Sequence, residues 1–143
     1  MTVEHTINPN SDNHSELAYR ESLSWLYRQT RGSEPRDPAR MARLIEALSL
    51  EMPARSVHVV GTNGKGTVTS MIAAGVAAAG VDSGSFLSPH VEDFRERISV
   101  NGRPIDPQQV VEFVDLVRSV GLPSAPAFFE ITLAMALHHF KRS

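Results

Sequence analysis

Residues 57–67 read Val57-His58-Val59-Val60-Gly61-Thr62-Asn63-Gly64-Lys65-Gly66-Thr67, a β-branched apolar run followed directly by a glycine-rich loop. The next residues, 68–80, are mostly alanine, glycine and small polar residues, which predicts a helix ended by Gly80. A strand, a glycine loop and a helix in this order are typical of a phosphate-binding loop, because glycines let backbone N–H groups approach phosphate oxygens. We therefore predict a strand at 56–60 and a phosphate site in the loop after it.

Two side chains of this loop suit the chemistry of a bound nucleotide. Lys65 would place a full charge on the outer phosphates, and the hydroxyl of Thr67 could hold Mg²⁺. The common pattern would need a glycine at Val59, and Gly66 separates the lysine from the threonine. The alternative is a glycine-rich turn that binds nothing, but a lysine between two glycines after a buried strand has little structural purpose.

Length and composition indicate one globular domain. The chain has 143 residues, 41% hydrophobic and 21% charged, with a net charge of −2. This charge gives no reason to expect nucleic acid or a membrane surface as partner. Cysteine is absent, which excludes disulfides and thiolate zinc sites. No membrane-spanning run or signal peptide is recognised, so the expected location is the cytoplasm.

Periodicity and capping residues predict four further helices, at residues 15–29, 38–49, 107–120 and 128–141. Residues 1–14 are polar and predict a flexible tail. The expected buried faces are Tyr19, Leu23, Leu26 and Tyr27; Met41, Leu44, Ile45 and Leu48; Val110, Phe113, Val114 and Val117; and Phe129, Thr132, Met135 (or Leu137) and Phe140. His138 and His139 are expected in solvent.

The sheet is predicted to be parallel. Residues 81–87 form the second strand of a βαβ unit with 56–60, and Asn101-Gly102 is the turn of a hairpin over 98–105. The fold class is therefore α/β, a P-loop-type three-layer domain whose two parallel strands make an incomplete sheet. Its unpaired edge would allow copies of the chain to associate.

Several residues after the second strand are candidates for the same crevice, because ligands bind beyond the carboxyl ends of parallel strands. Ser88 could complete a Mg²⁺ shell and His90 would face the crevice, although Ser88-Pro89 reads equally well as a turn. The side chains of Arg95 and Arg97 either bind an anionic substrate or pair with neighbouring carboxylates, and spacing favours pairing. Glu130 suits the first turn of its helix.

Four motifs together resemble one family, the folylpolyglutamate synthase/dihydrofolate synthase branch of the Mur ligase superfamily. The resemblance covers roughly residues 17–140 and makes residues 15–143 part of the ATP-binding domain. The motifs are Gly61-Thr62-Asn63-Gly64-Lys65-Gly66-Thr67, Ser88-Pro89-His90, Phe94-Arg95-Glu96-Arg97-Ile98 and Phe128-Phe129-Glu130.

The resemblance implies an ATP-dependent ligase that joins L-glutamate to folate or dihydropteroate through an acyl phosphate. ATP and Mg²⁺ are the implied cofactors, and the family is mostly monomeric. Carried over by position, loop residues 61–67 contact ATP with Lys65 as the catalytic charge, and Ser88 binds the metal beside Thr67. The implied substrate contacts are Ala127, Phe128, Phe129, Glu130, His90 and Arg36.

The sequence also departs from the family pattern. Asp37-Pro38-Ala39-Arg40 stands where the family has Gly-Leu-x-Arg, and Ala127 stands where a polar side chain is common. The family continues with a Glu-Val-Gly strand, a histidine metal ligand, a carbamylated lysine and a glutamate-binding domain. We therefore expect a truncated, inactive portion of such a ligase. The alternatives are another Mur-type ligase and a stand-alone nucleotide-binding or regulatory module.

Overall fold

The computed structural model describes residues 9–29, 37–122 and 124–143. Within these ranges the order of elements is α1 (Pro9–Arg28), α2 (Pro38–Ala47), α3 (Lys65–Ala78), β1 (Gly84–Phe86), a 3₁₀ helix (Phe94–Arg97), β2 (Ile98–Val100), β3 (Arg103–Pro104), α4 (Pro107–Ser119) and α5 (Phe128–Arg142).

Helices form in the predicted regions apart from an earlier start of α1, and the starts of α2 and α4 follow from side-chain caps. Asp37 Oδ1 accepts a hydrogen bond from the Ala39 amide at 2.9 Å, at the start of α2. Asp106 and Gln109 form the predicted capping box of α4. Helix α4 ends at Ser119, before Gly121, because Val120 has already left the helical conformation.

The predicted tail is wrong for residues 9–14, because α1 already begins at Pro9. Proline suits the first turn of a helix, where its missing N–H would have no intrahelical partner. The remainder of the predicted tail, residues 1–8, lies outside the described residues.

The described sheet is antiparallel and has the order β1-β2-β3. Gly84 pairs with Val100, and Phe86 pairs with Ile98. Residues 56–60 form no strand, and Val57 and Val60 are 72% and 75% exposed, so the predicted parallel pairing is wrong within the described chain. The physical reason is that a β-branched run becomes a strand only when a second backbone segment satisfies its N–H and C=O groups.

The predicted hairpin is confirmed. Asn101 and Gly102 have φ values of 51° and 74°, the left-handed pair that a two-residue turn of this kind requires. The side chain of Asn101 also accepts from the Ser83 amide at 2.9 Å and donates to Asp82 at 2.8 Å. These bonds hold the turn beside the start of β1.

The core lies between α1, α4, α5 and β2. The predicted face of α4 is fully confirmed, and on α5 Thr132, Met135 and Leu137 are buried. Phe129, however, is 52% exposed. His138 is only part-exposed with its ring 5.3 Å from that of Phe113, and burial lowers its pKa, so the solvated placement is wrong.

Helix α3 lies on the surface, with none of its residues buried. Its larger side chains, Val68 and Met71, are 45% and 69% exposed. Helix α3 therefore packs on no parallel sheet among the described residues, since residues 56–60 add no strand there. Among the helices of the described ranges, none is long and apolar enough to cross a bilayer.

Gly84 is required by a neighbouring ring. A Cβ at this position would lie 2.5 Å from Phe140 Cδ1, so we expect Gly84→Ala to lower the free energy of unfolding by about 1–3 kcal/mol through overpacking. Urea unfolding in the wild type and in a Phe140→Ala background measures the coupling.

The penalty should shrink once Phe140 is truncated. Gly75→Ala is the matched control, because no neighbouring atom lies within 4 Å of its added Cβ. It should stabilise α3 by up to about 1 kcal/mol. An equal Gly84→Ala penalty in both backgrounds would contradict the steric explanation.

Candidate active site

The glycine loop before α3 has the backbone geometry that only glycine adopts without strain. Gly61 and Gly64 have φ values of 153° and 74°, and Gly64 is the N-cap of α3. The first N–H groups of a helix have no intrahelical partner, so this end of α3 offers donors and a positive dipole end to an anion. The loop is exposed throughout.

Lys65 folds back over the loop. Its Nζ donates to the carbonyl oxygen of Gly61 at 2.8 Å and lies 3.4 Å from that of Thr62. Thr67 lies one turn into the same helix with an exposed side chain. The structure thus places the predicted charge and the predicted hydroxyl together at the exposed start of α3, directly after the loop.

A second cluster forms around Arg97, which is 6% exposed. Its Nε donates to His90 Nδ1 at 2.7 Å, and its Nη1 donates to Ser88 Oγ at 3.1 Å. The 3₁₀ helix explains this burial, because residues i and i+3 share a face and Phe94 and Arg97 both point inward. Burial lowers the pKa of the Arg97 guanidinium.

Capping fixes the 3₁₀ helix that carries Arg97. Asp93 accepts from the Arg95 amide at 2.9 Å, and Glu96 accepts from the amides of Val91, Glu92 and Asp93. These backbone hydrogen bonds hold the pKa of Glu96 below its usual value. Arg95 pairs with Asp93 at 2.7 Å, as the surface-pairing interpretation predicted.

Aromatic rings surround the Arg97 cluster. The guanidinium carbon of Arg97 lies 5.2 Å from the ring centroid of Phe128, which stacks on Tyr27 at 5.4 Å. The ring of His90 lies 6.5 Å from that of Tyr27 and 6.3 Å from that of Phe94. A backbone hydrogen bond of 3.1 Å from the Phe128 amide to Gln29 ties α5 to the end of α1.

The structure therefore brings together Ser88, His90 and Phe128, which the sequence singled out. It adds Tyr27 and Arg97, to which the sequence assigned other roles, a packing face and surface pairing. A signal for Arg97 was available in the spacing of Phe94 and Arg97, but it indicates burial only if the segment is a 3₁₀ helix.

Glu130 serves α5 and a neighbouring helix. Its Oε2 accepts from the Ala127 amide at 2.7 Å, and its Oε1 lies 3.5 Å from Arg40 Nε. The two charged side chains are only 19% and 10% exposed. Phe129 points elsewhere, with its ring edge-on to Phe86 at 5.6 Å. The remaining predicted substrate contact, Arg36, lies outside the described residues.

An open cleft of about 470 Å³ adjoins the Arg97 cluster, and Tyr27, His90 and Phe94 line both. On its other side Tyr19 donates to Asp93 at 3.3 Å. Burial raises the pKa of Tyr19, and the charge of Asp93 adds to the effect.

The residues described do not make a complete metal shell. No group of three or more His, Asp or Glu side chains in these ranges could hold an ion. Thr67 and Ser88 offer one hydroxyl each, and both are exposed. Hard cations take six or more oxygen ligands, so these two hydroxyls fit a metal ion only in part.

The known proteins that resemble this chain and are described below are all named folylpolyglutamate synthases. No family model matches. The dihydrofolate synthase/folylpolyglutamate synthase of Bacillus subtilis is 33% identical over 133 residues, which cover 86% of this chain and 30% of that protein. A folylpolyglutamate synthase (FPGS) in complex with AMPPCP and folate superposes with a TM-score of 0.79 at 30% identity, over 87% of this chain and 32% of that one. A bifunctional folylpolyglutamate synthase/dihydrofolate synthase from Yersinia pestis, solved with AMPPNP and a Mn ion, has a TM-score of 0.73 at 29% identity, over 87% of this chain and 30% of that one.

These similarities place the chain, with its mixed helices and small sheet, in the Mur ligase class of folds. More narrowly, the chain belongs to the folylpolyglutamate synthase/dihydrofolate synthase family, as the four motifs predicted. It spans about a third of the length of these two proteins, 30% of the Bacillus protein and 32% of the FPGS chain.

Glu130→Ala should destabilise the fold, because it removes both the cap on α5 and a carboxylate that pairs with a nearly buried Arg40. Hydrogen bonds to charged groups predict a loss of about 1–3 kcal/mol in thermal or urea unfolding. Glu112→Ala is the control, since Glu112 is an exposed helix residue bonded only to Gln108 among the described residues. Equal losses in both variants would show that the Glu130 contacts contribute nothing specific.

Proposed function

We propose that this chain is the nucleotide-binding part of an ATP-dependent ligase that joins L-glutamate to folate or dihydropteroate. The observation that carries the proposal is the glycine loop, with left-handed Gly64 at the start of α3 and Lys65 lying over it. The relative with 30% identity that binds AMPPCP and folate supports it.

The proposed reaction has two balanced steps. A carboxylate oxygen of the pteroate-type substrate attacks the terminal phosphorus of ATP, and ADP leaves. The amine of glutamate then attacks the carbonyl carbon of the acyl phosphate, and phosphate leaves as the amide forms. Most of the protein's contribution to such a transfer is positioning and charge stabilisation.

The loop residues have defined roles in this proposal. The phosphates are bound by backbone N–H groups of the loop. These N–H groups belong to Gly61, Thr62, Asn63, Gly64, Lys65, Gly66 and Thr67. The ammonium group of Lys65 leaves its carbonyl partners and offsets the charge that develops on the transferred phosphoryl group.

Mg²⁺ belongs to the proposal with Thr67 and Ser88 as its hydroxyl ligands. When bound, it would neutralise phosphate charge. Support comes from the Mn ion and AMPPNP in the Yersinia relative. The shell is incomplete among the described residues, and we therefore infer that the chain by itself binds nucleotide without completing glutamate transfer.

For the acceptor substrate we propose contacts from Ala127, Phe128, Phe129, Glu130, His90 and Arg36. Two observations support the described part of this set. Phe128 and His90 meet at one cluster, and the exposed ring of Phe129 is free to contact a ligand ring. Glu130 would share its carboxylate between Arg40 and the ligand.

The finer architecture is also a proposal. In a P-loop-type three-layer domain with a parallel sheet, residues 56–60 pair with a further strand. The exposure of Val57 and Val60 supports this, because an apolar β-branched run in solvent is unfavourable. Alternatively, residues 56–60 could pair with the same segment of a second copy of the chain, which would produce self-association.

Lys65→Ala tests the nucleotide site. We expect titration calorimetry with AMPPCP and Mg²⁺ to show at least about tenfold weaker binding, the value of one lost charge-assisted hydrogen bond. Lys141→Ala is the control, because it removes a lysine of the same charge whose ammonium group pairs with Glu51 on the surface.

Unchanged affinity in Lys65→Ala would contradict the nucleotide site. Glutamate incorporation by the wild-type chain is the second measurement, with ATP and dihydropteroate supplied. Turnover would contradict the inferred incompleteness, whereas tight nucleotide binding without turnover also fits a stand-alone nucleotide-binding module.

A further inference from the structure

The buried guanidinium of Arg97 lacks an anionic partner in the described structure. Its contacts there are His90, Ser88 and the ring of Phe128, all of them uncharged partners in this arrangement. By contrast, Arg95 pairs with Asp93, and Arg43 pairs with Asp37. A charge that is 6% exposed is costly unless an opposite charge compensates it.

Hydrogen-bond directions show that the Arg97 cluster has several donors available to a further group. Arg97 donates to His90 Nδ1, so the ring proton of neutral His90 is on Nε2, which lies 3.5 Å from Tyr27 Oη. Ser88 Oγ accepts from Arg97 and keeps its hydrogen to donate. Arg97 Nη2 forms no hydrogen bond with any described residue, and a guanidinium cannot accept one.

An aromatic surface lies directly beside these donors. Phe128 lies under the guanidinium and stacks on Tyr27 with an interplanar angle of 15°. Tyr27 remains 44% exposed. The exposed ring of Tyr27 therefore offers a planar ligand ring a stacking partner, and Tyr27 Oη lies 3.5 Å from Nε2 of His90, the residue that accepts from Arg97.

We propose that Arg97 and Ser88 form a subsite for the carboxylate of an aromatic carboxylate, with the aromatic ring of the ligand against Tyr27. This inference rests on the proposed function and deepens it, because it assigns the carboxylate end of the acceptor to named donors. The Ser88 oxygen retains a lone pair, so a metal ion at the same hydroxyl is compatible with the subsite.

The test is an NMR titration of the ¹⁵N-labelled full chain in the absence of nucleotide and divalent metal. One titration uses 4-aminobenzoate and the other uses its neutral amide, 4-aminobenzamide. The acid should bind at least about tenfold tighter than the amide, as a charge-assisted contact requires. The Nε–H signal of Arg97 should shift with the acid alone. Equal affinities for the acid and the amide would overturn the proposal.

Variants separate the subsite from general positive charge. Arg97→Gln should abolish the preference for the acid, and Arg97→Lys should restore part of it. Arg95→Gln is the matched control, since it removes an arginine two positions away that already has a carboxylate partner. If Arg95→Gln weakens the acid as much as Arg97→Gln does, the proposal fails.

A replacement variant and a competition with inorganic phosphate complete the test. If Arg97→Gln does not fold, Ser88→Ala replaces it, because this exposed side chain can be removed without opening the core. It should weaken the acid severalfold and leave the amide unchanged. Inorganic phosphate that displaces 4-aminobenzoate at equal concentration would identify a free oxyanion site and overturn the aromatic assignment.

Failure of this titration is distinguishable from failure of the proposed function. The titration contains no nucleotide, and the calorimetry of the glycine loop contains no carboxylate ligand. If the chain binds AMPPCP but has equal affinities for the acid and the amide, the nucleotide site is supported and the carboxylate subsite is rejected.

Discussion

The burial of α5 is the constraint on which the rest of the structure depends. This helix contacts α1, α2, α4, β1 and β2. Its buried positions combine large side chains with small ones, and Ala134 and Ala136 have no exposed surface at all. Small residues let neighbouring elements approach closely, and larger ones such as Ile131 and Met135 fill the space between them. Removing α5 would take a shared apolar partner from α1, α2, α4, β1 and β2.

The position of the candidate site follows from this packing. The first turn of α5 supplies Phe128, the end of α1 supplies Tyr27, and the capped 3₁₀ helix supplies Arg97. These residues lie far apart in the sequence, and only the burial of α5 against α1 and β2 brings them together. The glycine loop differs in kind, because its geometry comes from local backbone conformation at Gly61 and Gly64.

Local features of the fold could be predicted from the sequence, and non-local ones could not. Caps such as Asp106 and the Asn101-Gly102 turn act over a few residues, so their patterns determine the outcome. Strand pairing depends on a distant partner, and residues 56–60 have the composition of a strand without being one. Arg97 was assigned to the surface because nearby acids suggested pairing, whereas the turn type directs its side chain inward. The family was predictable because four separate motifs occur in order.

The contacts of Lys65 in the glycine loop affect the enthalpy with which the loop would bind a phosphate. Its ammonium group already has the carbonyl oxygens of Gly61 and Thr62 as partners, so an arriving phosphate exchanges one set of contacts for another. Part of the heat released by the new contact is cancelled when the old ones break. In the proposed nucleotide site, the contribution of Lys65 to affinity is then the difference in free energy between its phosphate contacts and its carbonyl contacts. In the described structure, the Lys65 side chain links the start of α3 back to the carbonyl oxygens of the loop and so helps to hold the loop in shape.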